Sequence, residues 1–153
     1  MAQEIERKFL VTDTSWKQGA PVLIRQGYLS SSADLAVRVR IAGELAFITI
    51  KGATRGISRS EFEYSIPLPD AQAMLNDLAM RPLIEKRRYK VTHKNHLWEV
   101  DEFLGDNAGL VIAEVELDNP DDHPALPPWV GAEVSHDPRY YNANLAIKPF
   151  TTW

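Results

Sequence analysis

The chain has 153 residues, a length that suits one domain with a sizeable core. Its formal net charge is −4 and it has no cysteine, which argues against nonspecific nucleic-acid binding and excludes disulfides and thiolate metal sites. No apolar run is long enough to span a membrane, and the acidic N-terminus leads into a strand pattern, which is not typical of a signal peptide. We therefore expect one cytoplasmic domain over residues 1–153.

Alternating patterns typical of β-strands recur along the whole chain, separated by polar or glycine-containing turns. They predict strands near residues 3–11, 22–30, 35–42, 45–51, 59–66, 83–92, 97–103 and 110–117. Apolar residues at helical spacing predict an amphipathic helix over 69–80, and shorter helices are predicted over 14–18 and 140–147. Four prolines make residues 119–128 irregular. Eight mostly antiparallel strands with few helices predict a mainly β (α+β) fold, an eight-stranded antiparallel β-barrel with a few flanking helices.

Seven of the predicted stretches carry a charged residue at alternate positions. Successive side chains of a strand point to opposite faces, so each stretch has one ionic face, and in most the other face is Ile, Val or Phe. The acids on these ionic faces are Glu4, Glu6, Glu61, Glu63, Asp101, Glu114 and Glu116. The bases are Lys8, Arg38, Arg40, Lys51, Lys86 and Arg88. If the strands share one closed sheet, these faces collect into a polar tunnel.

A single stretch of this kind would usually be a solvated strand face or part of an ion-pair network. Repetition in seven stretches, with nearly all paired positions ionic, favours a tunnel instead. The register of residues 84–91 is open, because Glu85, Arg87 and Tyr89 form the opposite face of that strand and could point inward.

The residue types on the ionic faces indicate the chemistry of the tunnel. Carboxylates two residues apart, as in Glu61 with Glu63 and Glu114 with Glu116, repel each other unless a cation lies between them. Hard oxygen donors without cysteine match Mg²⁺ or Mn²⁺. Arginine offers a planar fork and lysine a point charge for phosphate oxygens. The tunnel is therefore predicted to hold divalent metal and a polyanion.

The opposite faces of the strands are predicted to form an apolar outer surface. Its members are Ile5, Phe9, Val37, Val39, Ile48, Ile50, Phe62, Trp98, Val100, Val115 and Leu117. Two or three short helices cannot cover all of this surface, and a large uncovered apolar patch is usually a subunit interface. We therefore expect a homodimer.

These motifs resemble those of the CYTH superfamily, also called triphosphate tunnel metalloenzymes, which includes class IV adenylyl cyclase and thiamine triphosphatase. Glu4-Ile5-Glu6-Arg7-Lys8 matches the Glu-x-Glu-x-Lys signature of its first strand. The resemblance continues, in the family's order, through residues 38–40, 49–52, 59–63, 86–89, 98–101 and 113–116. It covers almost the whole chain and is closest to short stand-alone bacterial members, whose plug-like C-terminal helix is matched by residues 129–134 and 140–146. It implies an eight-stranded antiparallel tunnel with metal-binding carboxylates and phosphate-binding lysines and arginines.

The residues and the resemblance together predict metal-dependent hydrolysis of inorganic triphosphate to pyrophosphate and phosphate, with two ions of Mg²⁺ or Mn²⁺. The expected catalytic residues are Glu4, Glu6 and Lys8, and all six bases are expected to bind substrate. All seven acids are expected metal ligands: Glu114 and Glu116 with Asp101 for one ion, and Glu4 and Glu6 with Glu61 or Glu63 for the other.

Other functions on the same fold stay open. Thiamine triphosphate, a nucleoside triphosphate or an adenylyl cyclase reaction would use the same charged tunnel, and a noncatalytic polyphosphate or nucleotide sensor could use the bases alone. The presence of all seven acids favours catalysis over sensing. Neither nucleic acid nor a membrane is an expected partner.

Overall fold

The computed structural model describes residues 3–153, so the first two residues of the expected 1–153 domain lie outside the described residues. The strands are β1 (Gln3–Val11), β2 (Val22–Ser31), β3 (Leu35–Ala42), β4 (Leu45–Gly52), β5 (Ser58–Ser65), β6 (Ile84–His93), β7 (His96–Phe103), β8 (Val111–Glu116) and β9 (Val130–Glu133). The helices are α1 (Leu68–Asp77) and α2 (Asn142–Ile147), and 3₁₀ turns occur at Gly105–Asn107, Pro138–Tyr140 and Phe150–Thr152.

Strands β1 to β8 close into an antiparallel barrel, which confirms the predicted fold class. The order around the barrel is β5-β4-β3-β2-β6-β7-β8-β1, and β1 returns to β5. The N-terminal part of β1 closes the ring, because Gln3, Glu4 and Ile5 pair with residues 58–60 of β5. Farther along β1 the same edge pairs with β9 through Phe9 and Val11.

The predicted strand boundaries are confirmed to within one residue at each end. The predicted helix over 14–18 is wrong: the chain turns there, because the Asp13 carboxylate accepts hydrogen bonds from the backbone N–H and the hydroxyl of Ser15. Helix α1 ends at Asp77 rather than at 80, since the N–H of Met80 donates to the Tyr28 carbonyl of β2. The short strand β9 was not predicted, and a 3₁₀ turn precedes α2 where one continuous helix was predicted.

Two apolar clusters cover the outside of the barrel. Helix α1 packs over β2, β3 and β4, and a Cβ on Gly27 would lie 2.6 Å from Leu83 and 2.8 Å from Ala79, so the close packing here requires glycine. On the opposite side, Trp16 and Trp129 of irregular segments pack against the outward residues of β1, β7 and β8.

These clusters change the argument for a homodimer. Most of the predicted apolar outer surface is buried within the single chain, because Trp16 and Trp129 add cover that short helices alone would not provide. What stays accessible is a strip on the outside of β3, β4 and β5, where Val37, Ile50 and Phe62 lie in one register row. Phe62 is 45% exposed.

A third cluster fills one end of the barrel interior. Leu145 and Ala146 of α2 pack with Tyr28, Ile84 and Phe103, whose side chains point into the barrel. The C-terminal segment therefore covers part of this end of the barrel. Across residues 3–153, no helix is long and apolar enough to cross a membrane.

A charged tunnel as the candidate active site

The inward faces of β1 to β8 bring the predicted acids and bases together. Lys51 Nζ on β4 lies 3.0 Å from a Glu4 carboxylate oxygen on β1, and Lys8 Nζ lies 3.8 Å from one of Glu114 on β8. The structure also shows which face of residues 84–91 points into the barrel. Lys86 is fully buried and contacts Asp101, whereas Glu85 and Arg87 on the opposite face are exposed.

Asp101 forms the most buried ion-pair network of the tunnel. Lys86 Nζ donates to Oδ2 at 2.7 Å, and Arg88 donates from Nε to Oδ1 at 2.8 Å and from Nη2 to Oδ2 at 2.9 Å. Burial alone would raise the pKa of Asp101, but the charges of Arg88 and Lys86 hold it well below its usual range. Burial lowers the pKa of Lys86 to about 7, against the attraction of Asp101. Both oxygens of Asp101 are therefore engaged by bases.

Glu6, Glu114 and Glu116 form an acidic group on two paired strands, β1 and β8. Glu6 lies directly opposite Glu116 in the register, and Lys8 lies opposite Glu114. Burial, together with the charges of Glu114 and Glu4, raises the pKa of Glu6 to about 8. Burial and neighbouring carboxylates, first Glu4, also raise the pKa of Glu116. Burial would raise the pKa of Glu114 as well, but the charge of Lys8 holds it below its usual value.

This acidic group fits a divalent cation. Lys8 Nζ is 3.7 Å from Glu6, a long contact that leaves much of the carboxylate charge uncompensated. Crowded carboxylates with too little positive charge between them are the donor set that a hard divalent cation stabilises.

A second group joins the two strands that close the barrel. Lys51 Nζ lies between Glu4 at 3.0 Å and Glu61 at 3.3 Å. Burial and a hydrogen bond with Glu4 raise the pKa of Glu61 to about 7. Burial would raise the pKa of Glu4 too, but this hydrogen bond and the charge of Lys51 hold it well below its usual range.

The two expected metal-ligand sets are only partly assembled. Within residues 3–153, no three or more acidic or histidine side chains are arranged as ligands of a common metal ion. Asp101 is engaged by Lys86 and Arg88 rather than facing open space beside Glu114 and Glu116. Glu63 accepts a hydrogen bond from Thr49 at 2.9 Å and lies 3.7 Å from Arg38.

Arg40 differs from the other five predicted bases. Each of the others lies within ion-pair distance of at least one carboxylate, whereas none of the described acidic side chains lies that close to Arg40. Its Nε donates to the neutral Gln26 Oε1 at 2.9 Å. Burial, and the positive charges of Arg38 and Arg88, lower the pKa of Arg40 to about 10. A largely buried cation beside other cations, without a counter-ion, fits a bound anion.

A cavity of about 640 Å³ forms the mouth of the tunnel. One wall carries charged residues, which are Glu4, Glu6, Lys8, Lys51 and Arg59. The other wall is neutral and includes Tyr28, Ser135, Tyr141 and Asn142. Helix α2 supplies part of this neutral wall, so its position limits the room for any group attached to a phosphate chain.

The charge pattern missed several residues that the structure places in the tunnel. Glu99 lies 3.3 Å from Arg88 and faces Glu114 in the register of β7 and β8. Its place two residues before Asp101 already put it on the same face. Gln26 and Thr49 are fully buried beside Arg40 and Arg38, but a pattern based on charge cannot find neutral side chains.

The chain is similar to a known domain family and to several proteins named as inorganic triphosphatases. The sequence profile of the CYTH domain matches residues 2–141. The chain is 48% identical over 153 residues to an inorganic triphosphatase of Acetivibrio thermocellus, covering 98% of this chain and 97% of that protein. It is 38% identical over 148 residues to an inorganic triphosphatase of Nitrosomonas europaea, covering 94% and 97%. A crystal structure of an inorganic triphosphatase superposes with a TM-score of 0.67 at 35% identity, covering 94% of this chain and 97% of that chain.

Proposed function

The chain belongs to the CYTH domain family, and from that premise we propose that it hydrolyses inorganic triphosphate to pyrophosphate and phosphate inside the tunnel. The proposal is supported by one observation: the same tunnel contains a base and a group of acids whose charges are only weakly compensated by the protein. Among the described residues, Arg40 is a largely buried cation without a carboxylate within ion-pair distance, and the three carboxylates Glu6, Glu114 and Glu116 have only long contacts, of 3.7–3.8 Å, to Lys8 and Arg88. A triphosphate with a divalent metal ion would compensate both.

The acids divide into two roles in this proposal. Glu6, Glu114 and Glu116 would hold one ion of Mg²⁺ or Mn²⁺, and Glu4 with Glu61, now bridged by Lys51, would contribute to a second. Such ions, when bound, neutralise phosphate oxygens and acidify a water molecule. Asp101 and Glu63 instead hold Lys86, Arg88 and Arg38 in place.

The bases would bind the phosphate chain and stabilise the charge of the reaction. Lys8 and Lys51 line the cavity, and Arg38, Arg40, Lys86 and Arg88 lie on the inward faces of β3 and β6, outside the lining of this cavity. Water attacks the terminal phosphorus, and negative charge then builds up on the departing pyrophosphate, where fixed cations stabilise it. Glu4 and Glu6 lie on the cavity wall beside Lys8, and there they would accept hydrogen bonds from the attacking water.

A substrate panel tests this function. We expect kcat/KM for inorganic triphosphate to exceed that for ATP by at least about tenfold, with pyrophosphate poor, because a shorter phosphate chain would reach fewer of the tunnel bases. The nucleoside of ATP would also have to share the cavity with α2. Phosphate release is measured for triphosphate, ATP, thiamine triphosphate and pyrophosphate under one metal condition. A higher value for ATP or thiamine triphosphate, or cyclic AMP as a product, would refute the substrate assignment.

We also propose that the protein is a homodimer through the strip on β3, β4 and β5. Phe62 and Tyr64, 45% and 58% exposed, lie beside the half-buried Ile48 and Ile50 and give this strip an apolar surface. Light scattering at micromolar concentration should then give about twice 17.3 kDa, and Phe62→Ser should shift the mass toward the monomer. A mass of 17.3 kDa for the unmodified protein would refute the dimer.

We further propose that residues 1–153 form one domain and that the protein is cytoplasmic, with neither nucleic acid nor a membrane as partner. The negative net charge and the absence of cysteine support this.

A further inference from the structure

Gln26 is a neutral side chain that is fully buried in the charged tunnel. It lies on β2, directly opposite Arg40 of β3 and Ile84 of β6. Among the inward residues of β2 its neighbours are Ile24 and Tyr28, which are also buried. A fully buried amide at this place needs partners for both its oxygen and its nitrogen.

Only the oxygen of this amide has a hydrogen-bond partner among the described residues. Gln26 Oε1 accepts from Arg40 Nε at 2.9 Å. Because a guanidinium can only donate, the amide oxygen has to face Arg40, and this forces Nε2 to point away from it. Within the described part of the chain, Gln26 Nε2 is buried and has no hydrogen-bond partner. A buried donor without an acceptor is costly, so an acceptor supplied by a ligand would be favourable here.

We propose that Gln26 is a substrate-binding residue that orients Arg40 through Oε1 and donates from Nε2 to a phosphoryl oxygen of the bound triphosphate. This inference rests on the proposed function. Arg40 and the triphosphate would form an ion pair, and Gln26 would bind both members of it, Arg40 through Oε1 and the triphosphate through Nε2.

The neutrality of Gln26 is what makes this arrangement effective. A carboxylate at this position would neutralise Arg40, as Asp101 does for Arg88, and would repel the substrate. A lysine or arginine would add another buried cation next to Arg40, and the charges of Arg38 and Arg88 already act on that residue. Glutamine holds the guanidinium and leaves its positive charge available to phosphate.

The test compares Gln26→Glu and Gln26→Met with a matched control, Gln72→Glu, which makes the same change on the exposed face of α1. For each variant kcat and KM for triphosphate are measured, together with the melting temperature and the equilibrium binding of inorganic triphosphate in the presence of EDTA. The binding measurement does not require turnover, so it separates this inference from the proposed function. Wild-type protein that binds triphosphate without hydrolysing it would contradict the function alone.

We expect Gln26→Glu to weaken triphosphate binding at least about tenfold, with KM rising more than kcat falls. Its melting temperature should stay at or above that of the wild type, since the new carboxylate pairs with Arg40. Gln26→Met should weaken binding less, because it removes the hydrogen bonds without adding a negative charge. Gln72→Glu should behave as wild type. Unchanged binding in Gln26→Glu, or losses in both variants that simply follow a reduced folded fraction, would overturn the inference.

Discussion

Removal of divalent cations should abolish phosphate release from inorganic triphosphate, by at least about a thousandfold. Without a cation, the carboxylates of Glu6, Glu114 and Glu116 repel one another, and no ion is present to acidify the attacking water. Activity is measured after dialysis against EDTA and again after addition of Mg²⁺ or Mn²⁺, which should restore it. Full activity after exhaustive chelation would contradict the metal-dependent mechanism.

A pair of variants shows whether the metal acts at this acidic group. Glu6→Gln keeps the size of the side chain and removes its charge, so the concentration of Mg²⁺ that gives half-maximal activity should rise. Glu85→Gln is the matched control, because Glu85 is exposed on the outer face, where its carboxylate lies 3.6 Å from Arg25. Equal metal requirements in the two variants would argue against Glu6 as a metal ligand.

Replacement of Asp101 by alanine should destabilise the protein by about 3–5 kcal/mol, because it leaves two buried cations, Lys86 and Arg88, without their shared partner. Urea denaturation measures the free energy of unfolding. We also expect the variant to lose binding of triphosphate, since the two bases are no longer held in position.

Glu102→Ala is the control for this loss of stability. Glu102 is the next residue of the same strand, and its carboxylate pairs with Lys17 and Arg87 near the surface. A solvated pair of this kind contributes about 0–1 kcal/mol. If the two variants lost similar amounts of stability, the buried network around Asp101 would contribute no more than a surface ion pair, which would contradict the prediction.

The positions of the strands and the faces of their side chains could be predicted from the sequence, because the two-residue alternation of a strand is a local property. Glu4, Glu6 and Lys8 are inward for this reason, and so is Glu99, which the same alternation placed there. The class of ligand could also be predicted from the sequence, since many carboxylates on one face favour a divalent metal ion and many lysines and arginines favour phosphate. The helix predicted over 14–18 is a turn instead, because the hydrogen bonds from Ser15 to the Asp13 carboxylate outweigh weak helical spacing.

The partner of each charge was decided only by the tertiary structure. Asp101 is engaged by Lys86 and Arg88, and Arg40 has Gln26 instead of a carboxylate, because strands distant in sequence meet in a particular register. The burial of the apolar outer surface was also decided only by the tertiary structure. Trp16 and Trp129, which pack over this surface, lie in irregular segments without a periodic pattern. Periodicity fixes which face a side chain occupies. Which side chains meet across that face depends on how the barrel closes, where β1 pairs with β5 across more than 50 residues of chain.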